Sequence, residues 1–146
     1  MDEATERGES LKAGCIGAAA TAIEFVAATG VLAWVHPTVV GELDRGMFFL
    51  MHPETLAQAA IAILSGALFG VTYRYVLRTD HNSHLQGGAI GAFGLVRGLA
   101  QIEASWVTAP YWLTSLKLLF SLLMFAAAAL TLDWAMRQGW VKRFGA

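Results

Sequence analysis

The sequence predicts an all-α protein, a four-transmembrane-helix bundle with both termini on the cytoplasmic side, and three observations carry that expectation. Hydrophobic residues make up 56% of the 146 and charged residues only 14%, with a mean hydropathy of +0.53, beyond what an ordinary soluble domain tolerates. Four apolar runs, 13–35, 54–77, 85–106 and 111–135, are each long enough to cross roughly 30 Å of hydrocarbon at about 1.5 Å per residue. Charge placement agrees. Arg7, Lys12, Arg74, Arg78, Arg137, Lys142 and Arg143 fall on or near one side of a four-span chain, whereas Arg45 alone falls on the other. Cytoplasmic flanks carry such an excess of Lys and Arg.

Each run is expected to be helical, because a lone strand in lipid would leave its backbone polar groups unsatisfied. The first run, 13–35, ends near Trp34. The second, 54–77, follows Pro53, a residue suited to the first turn of a helix. The third, 85–106, holds five glycines between 87 and 98 and ends at Trp106. A re-entrant third segment would also suit those glycines, but it would spoil the charge asymmetry. The fourth, 111–135, runs from Trp112 to Trp134. With Trp140 just beyond, all five tryptophans fall at interfacial levels. A soluble four-helix bundle would need a polar face that these runs lack.

The chain forms a single membrane domain, with no connector long enough to hold a soluble one. Small residues mark expected packing stripes: Gly14, Gly17, Thr21, Glu24 and Ala28 in the first run, Gly66 and Gly70 in the second. Gly87, Gly91, Gly94, Gly98 and Ser105 continue them in the third, and Ala126 to Ala129 in the fourth. The connector 36–53 contains GMFFLM at 46–51, too short to span and expected to rest in the interface. The acidic start, MDEATERGES, does not resemble a cleaved signal peptide. Cys15 is the sole cysteine, which rules out an intrachain disulfide.

Ionisable groups within spans are expected to be paired or functional. Glu24 lies ten residues before Trp34, roughly 15 Å below that interface, and Arg97 nine residues before Trp106, roughly 14 Å below it. Equal depth predicts an intramembrane ion pair of Glu24 and Arg97, with Gln101 as a further hydrogen-bond partner. Glu103 and Lys117 invite a second pairing near the outer face. Arg74, Arg78 and Asp80 form an expected charge cluster on the inner surface. The alternative use of Glu24 and Arg97 is a small transporter or proton-conducting path. The pairing itself argues against that use, as does the lack of an inverted repeat.

Catalytic motifs are not apparent: the sequence has no P-loop, GxSxG, HExxH or CxxC. No catalytic residue and no resident metal is assigned. Of the four histidines, His36, His52, His81 and His84, none is expected near the membrane centre, which disfavours a haem held between helices. The near-neutral net charge of -1 argues against a nucleic-acid partner.

The segment YRYVLRTDHNSHLQGGAIGAFGLVRGLAQIE, residues 73–103, contains the Arg74–Tyr75 pair, Arg78 with Asp80, and AFGLVRGL at 92–99. It resembles a family of small, poorly characterised integral membrane proteins of cyanobacteria and plant chloroplasts. The resemblance covers about a fifth of the chain. It implies a photosynthetic membrane and carries no catalytic residues; the expected location is a bacterial inner (plasma) or thylakoid membrane. In that setting His81 or His84 can ligate a chlorophyll magnesium, and chlorophyll or carotenoid can line the periphery. Lipids and other membrane proteins are the partners expected of a non-catalytic accessory or assembly subunit of a larger membrane complex.

Overall fold

The computed structural model describes residues 3–35, 53–77, 83–105 and 110–143. They form four helices: α1, Glu3–Val35; α2, Pro53–Val76; α3, Ser83–Ser105; and α4, Tyr111–Arg137. The connector 36–52, with His36 and His52, lies outside the described residues, as do Arg78, Asp80, His81 and Trp106.

Helix α1 begins ten residues before the apolar run that predicts it. Glu3 and Glu6 sit in its first turn, where acidic side chains favour the helix dipole. Arg7 approaches Glu3 at 3.9 Å and Lys12 bonds Glu9 at 2.8 Å, pairs at the three- and four-residue spacings that support a helix. At about 1.5 Å per residue, α1 is roughly 50 Å long, longer than a bilayer's hydrocarbon is thick.

Three helices, α1, α2 and α4, are long and apolar enough to cross a membrane. The fourth is a correction in degree: α3 has the length, but its glycines, Gln86, Arg97, Gln101 and Glu103 leave it without a membrane-length stretch as apolar as those of the other three.

Helices α1 and α2 form the tightest pair, α3 and α4 the next, and α1 also packs along α4. Helices α1 and α3 stand at opposite corners with almost no shared contact. Between α2, α3 and α4 lies an aromatic cluster. The Phe69 ring is 5.2 Å from Tyr73, 5.4 Å from Phe93 and 5.2 Å from Phe125. Phe93 and Phe125 close the group at 5.6 Å, within the range of favourable ring contacts.

Glycine sets the closeness of both tight pairs. A methyl group at Gly17 would run into the Gly66 carbonyl, and one at Gly70 into the Ala13 carbonyl. Thr21 Oγ1 lies 3.0 Å from Ala62 O across this seam and 3.1 Å from Gly17 O in its own helix, so its proton has acceptors on both sides. In the other pair, Gly94 and Gly98 receive Leu122 and Leu118, and the Ser121 hydroxyl donates to Gly94 O at 3.0 Å. The expected stripe on α3 is used only in part, because Gly87 and Gly91 face open space, as does Gly88 off the stripe.

A sharp contrast between glycines follows. Gly17→Ala and Gly70→Ala are each expected to cost about 1–3 kcal/mol through overpacking against backbone. Gly88→Ala should leave the melting temperature unchanged or slightly raised. Thermal unfolding in mild detergent checks this, and equal losses at all three positions would contradict it.

Candidate functional site

The most heavily bonded polar group among the described residues is Arg74, near the end of α2, with no solvent exposure at all. A charge so enclosed survives only with its donors satisfied. Its Nη2 donates to Glu6 Oε2 at 2.6 Å, its Nη1 to Ser10 Oγ at 2.8 Å, and its Nε to the Lys142 carbonyl at 2.8 Å. One guanidinium thereby joins the start of α1, the end of α2 and the segment after α4.

That last segment is delivered by a local device. Gly139 adopts φ 75°, a left-handed conformation that glycine takes without a Cβ penalty. Gly139 N–H donates to Met136 O at 3.2 Å and Trp140 N–H to Ala135 O at 3.0 Å. This is a Schellman stop that satisfies the helix's last carbonyls. The chain then doubles back. Val141 is buried, the Trp140 ring meets Trp134 edge-on at 5.0 Å, and the Lys142 amide donates to Glu9 Oε2 at 2.8 Å. Glu9 Oε1 takes the Lys12 ammonium at 2.8 Å. The Lys142 peptide is held by its N–H on Glu9 and by its C=O on Arg74.

Of the expected inner-surface cluster, Arg74 is thus found buried with Glu6 as its acidic partner. Arg78 and Asp80 lie outside the described residues. Sequence reasoning missed Glu6, Glu9, Ser10, Lys142 and Gly139. Two signals were available: Glu6, Glu9 and Ser10 share one face if the helix extends to residue 3, and a glycine just after Arg137 marks a helix stop.

The Glu24–Arg97 pair is not formed. Among the described residues the ion pairs are Arg7–Glu3, Lys12–Glu9 and Arg74–Glu6. The physical reason is azimuthal: the two residues share a depth, but α1 and α3 occupy opposite corners of the bundle. Arg97 is buried on α3 at 8% exposure, and Gln101 is half-buried one turn further on. Glu24 instead lines a groove of about 220 Å³ between α1 and α4. Glu103 is exposed and forms no ion pair with Lys117. Asp133 accepts a hydrogen bond from the Tyr73 hydroxyl at 3.3 Å. His84 is exposed at the start of α3, and no trio of His, Cys, Asp or Glu gathers for a metal among the described residues.

The Arg74 cluster can hold three chain segments in register, and its acceptors are engaged in doing so. The chain matches no protein-family model, no curated protein and no solved structure.

Arg74→Leu should destabilise the protein by about 3 kcal/mol, because Glu6 and the Lys142 carbonyl lose their donor. The double change Arg74→Leu with Glu6→Leu should recover part of the loss. Arg74→Lys should not rescue, since one ammonium cannot reproduce the planar fork. Gly139→Val should cost about 1–2 kcal/mol through the left-handed conformation. It should also free the tail to limited proteolysis. Melting temperatures and C-terminal cleavage rates in detergent check each expectation.

Proposed function

We propose that the chain is a four-span integral membrane protein that serves as a non-catalytic accessory or assembly subunit of a larger membrane complex. Both of its termini face the cytoplasm or the equivalent organellar compartment. The observation that carries this reading is the distribution of exposed side chains. Large apolar residues remain uncovered on every helix: Ile23 and Val26 on α1, Leu64 and Leu68 on α2, Val96 and Leu99 on α3, Leu123 and Leu130 on α4. Such surfaces call for lipid or protein partners. That α3 shares this outward face supports its counting as a span despite its lower hydropathy. On α4, Trp112 and Trp134 are both half-exposed and lie roughly 33 Å apart along the axis, as a pair of interfacial anchors would.

The side assignment rests on the excess of Lys and Arg, and it is supported by Glu6 and Lys142 meeting at one arginine. The photosynthetic setting rests on the resemblance of residues 73–103 alone. A second reading, a small transporter or proton conductor, is favoured by one observation: Glu24 and Arg97 stand apart, so neither neutralises the other.

Solubilisation of native membranes in mild detergent, followed by native electrophoresis and mass spectrometry, tests the first reading. Co-migration with a much larger complex is expected, pigmented if the photosynthetic setting holds. A lone particle that moves protons or solute in liposomes would replace it with the second. In a Cys15→Ser background, single cysteines at Glu3 and Gln138 should react with an impermeant maleimide from the same side of sealed vesicles.

A further inference from the structure

Glu24 stands eleven residues from each end of the run 13–35, roughly 16 Å from either face at about 1.5 Å per residue. It is a carboxylate at the middle of an apolar helix. Among the described residues it has neither a hydrogen-bond nor an ion-pair partner. The groove that it lines is apolar, with Ile16, Ala19 and Ile23 on α1 and Ala127 on α4, and Thr131 adds a hydroxyl to its lining. Thr131 already donates to Ala127 O at 2.8 Å, so toward Glu24 it offers no second proton. A carboxylate at that depth needs a proton or a cation.

The shape narrows the choice. From Ile16 to Glu24 the groove follows α1 for roughly 12 Å, more than two turns. Its alanines permit the close approach on which helix association in lipid depends. Ile23, at 69% exposure, forms an open rim rather than a lid. An elongated, laterally open, small-residue groove with one acid in it fits a second helix better than a compact solute.

We infer that the α1–α4 groove seats a transmembrane helix of another protein that carries a single lysine or arginine at mid-span, with Glu24 as its counter-ion. This rests on the accessory-subunit reading and names the chemistry of the partner. The basic residue and Glu24 neutralise each other, so each component is costly in lipid alone and favourable together. Ala19 and Ala127, which are not buried in the core, let the docked helix come close enough for the charges to meet.

The test uses the full chain in phosphatidylcholine vesicles at neutral pH, with synthetic leucine-alanine transmembrane peptides as probes. One peptide carries a central lysine and its twin a central leucine, and association is read by energy transfer between labelled protein and labelled peptide. The lysine peptide should associate about tenfold more tightly, the scale of one good interhelical polar contact. Glu24→Gln should erase that preference while keeping the melting temperature. Ala127→Leu, which fills the groove, should weaken the lysine peptide's binding. Equal binding of the two peptides, or a preference that survives Glu24→Gln, overturns the inference. So does self-association of two labelled copies lost with Ala127→Leu, which would give the groove to a second copy. Glu24-dependent binding of tetraphenylphosphonium without any peptide preference overturns it too, in favour of a small lipophilic cation. None of these results depends on whether the protein co-migrates with a large complex in native membranes.

Discussion

Contact between backbones is the constraint on which this bundle rests. In lipid, an apolar side chain gains little by leaving the hydrocarbon for another helix, so association must come from close packing and polar contacts. Gly17, Gly66 and Gly70 bring α1 and α2 together where no methyl group would fit. Thr21 and Ser121 then reach carbonyls of the facing helices because the backbones are already near. The aromatic cluster of Phe69, Tyr73, Phe93 and Phe125 occupies the wider space left between α2, α3 and α4. Small residues close two seams, and large rings fill what those seams leave open.

Arg74 solves a different problem. Buried ion pairs seldom add net stability, since desolvation offsets much of the attraction. What this arginine supplies is register: its three donor nitrogens match a carboxylate, a hydroxyl and a carbonyl drawn from separate parts of the chain. A shift of α1 by one residue would remove Glu6 and Ser10 together. Glycine seams are smooth and tolerate sliding, whereas a planar fork does not.

Much of the fold was legible because it depends on quantities that run along the chain. Hydrophobic run length located all four helices, and Pro53 marked the start of α2. The glycines at 14, 17, 66, 70, 94 and 98 were correctly read as contacts. What was not legible depends on how helices are arranged around the bundle axis. Depth is one coordinate and azimuth another; Glu24 and Arg97 agree in the first and differ in the second. Gly87 and Gly91 share a stripe with Gly94 yet face open space, because a stripe read along one helix does not say how far a neighbour stays in contact with it. The partners of Arg74 lie 68 residues away in each direction, beyond any local pattern. The start of α1 was missed because acidic residues look like a tail until i,i+3 and i,i+4 pairing is counted.

The Lys142 clamp also bears on the order in which the molecule is completed. During synthesis Glu6 and Ser10 are already present when Arg74 emerges, so α1 and α2 can engage as a hairpin at once. The acceptor for Arg74 Nε is made 68 residues later, a delay of about 3–14 s at ribosomal speed. Throughout that interval the arginine is only partly satisfied, and the hairpin remains incomplete until Gly139 turns the chain back. A product truncated before Lys142 would therefore carry an under-bonded cation at the end of α2. Whether the segment after α4 has docked is written into the bonding of a single side chain.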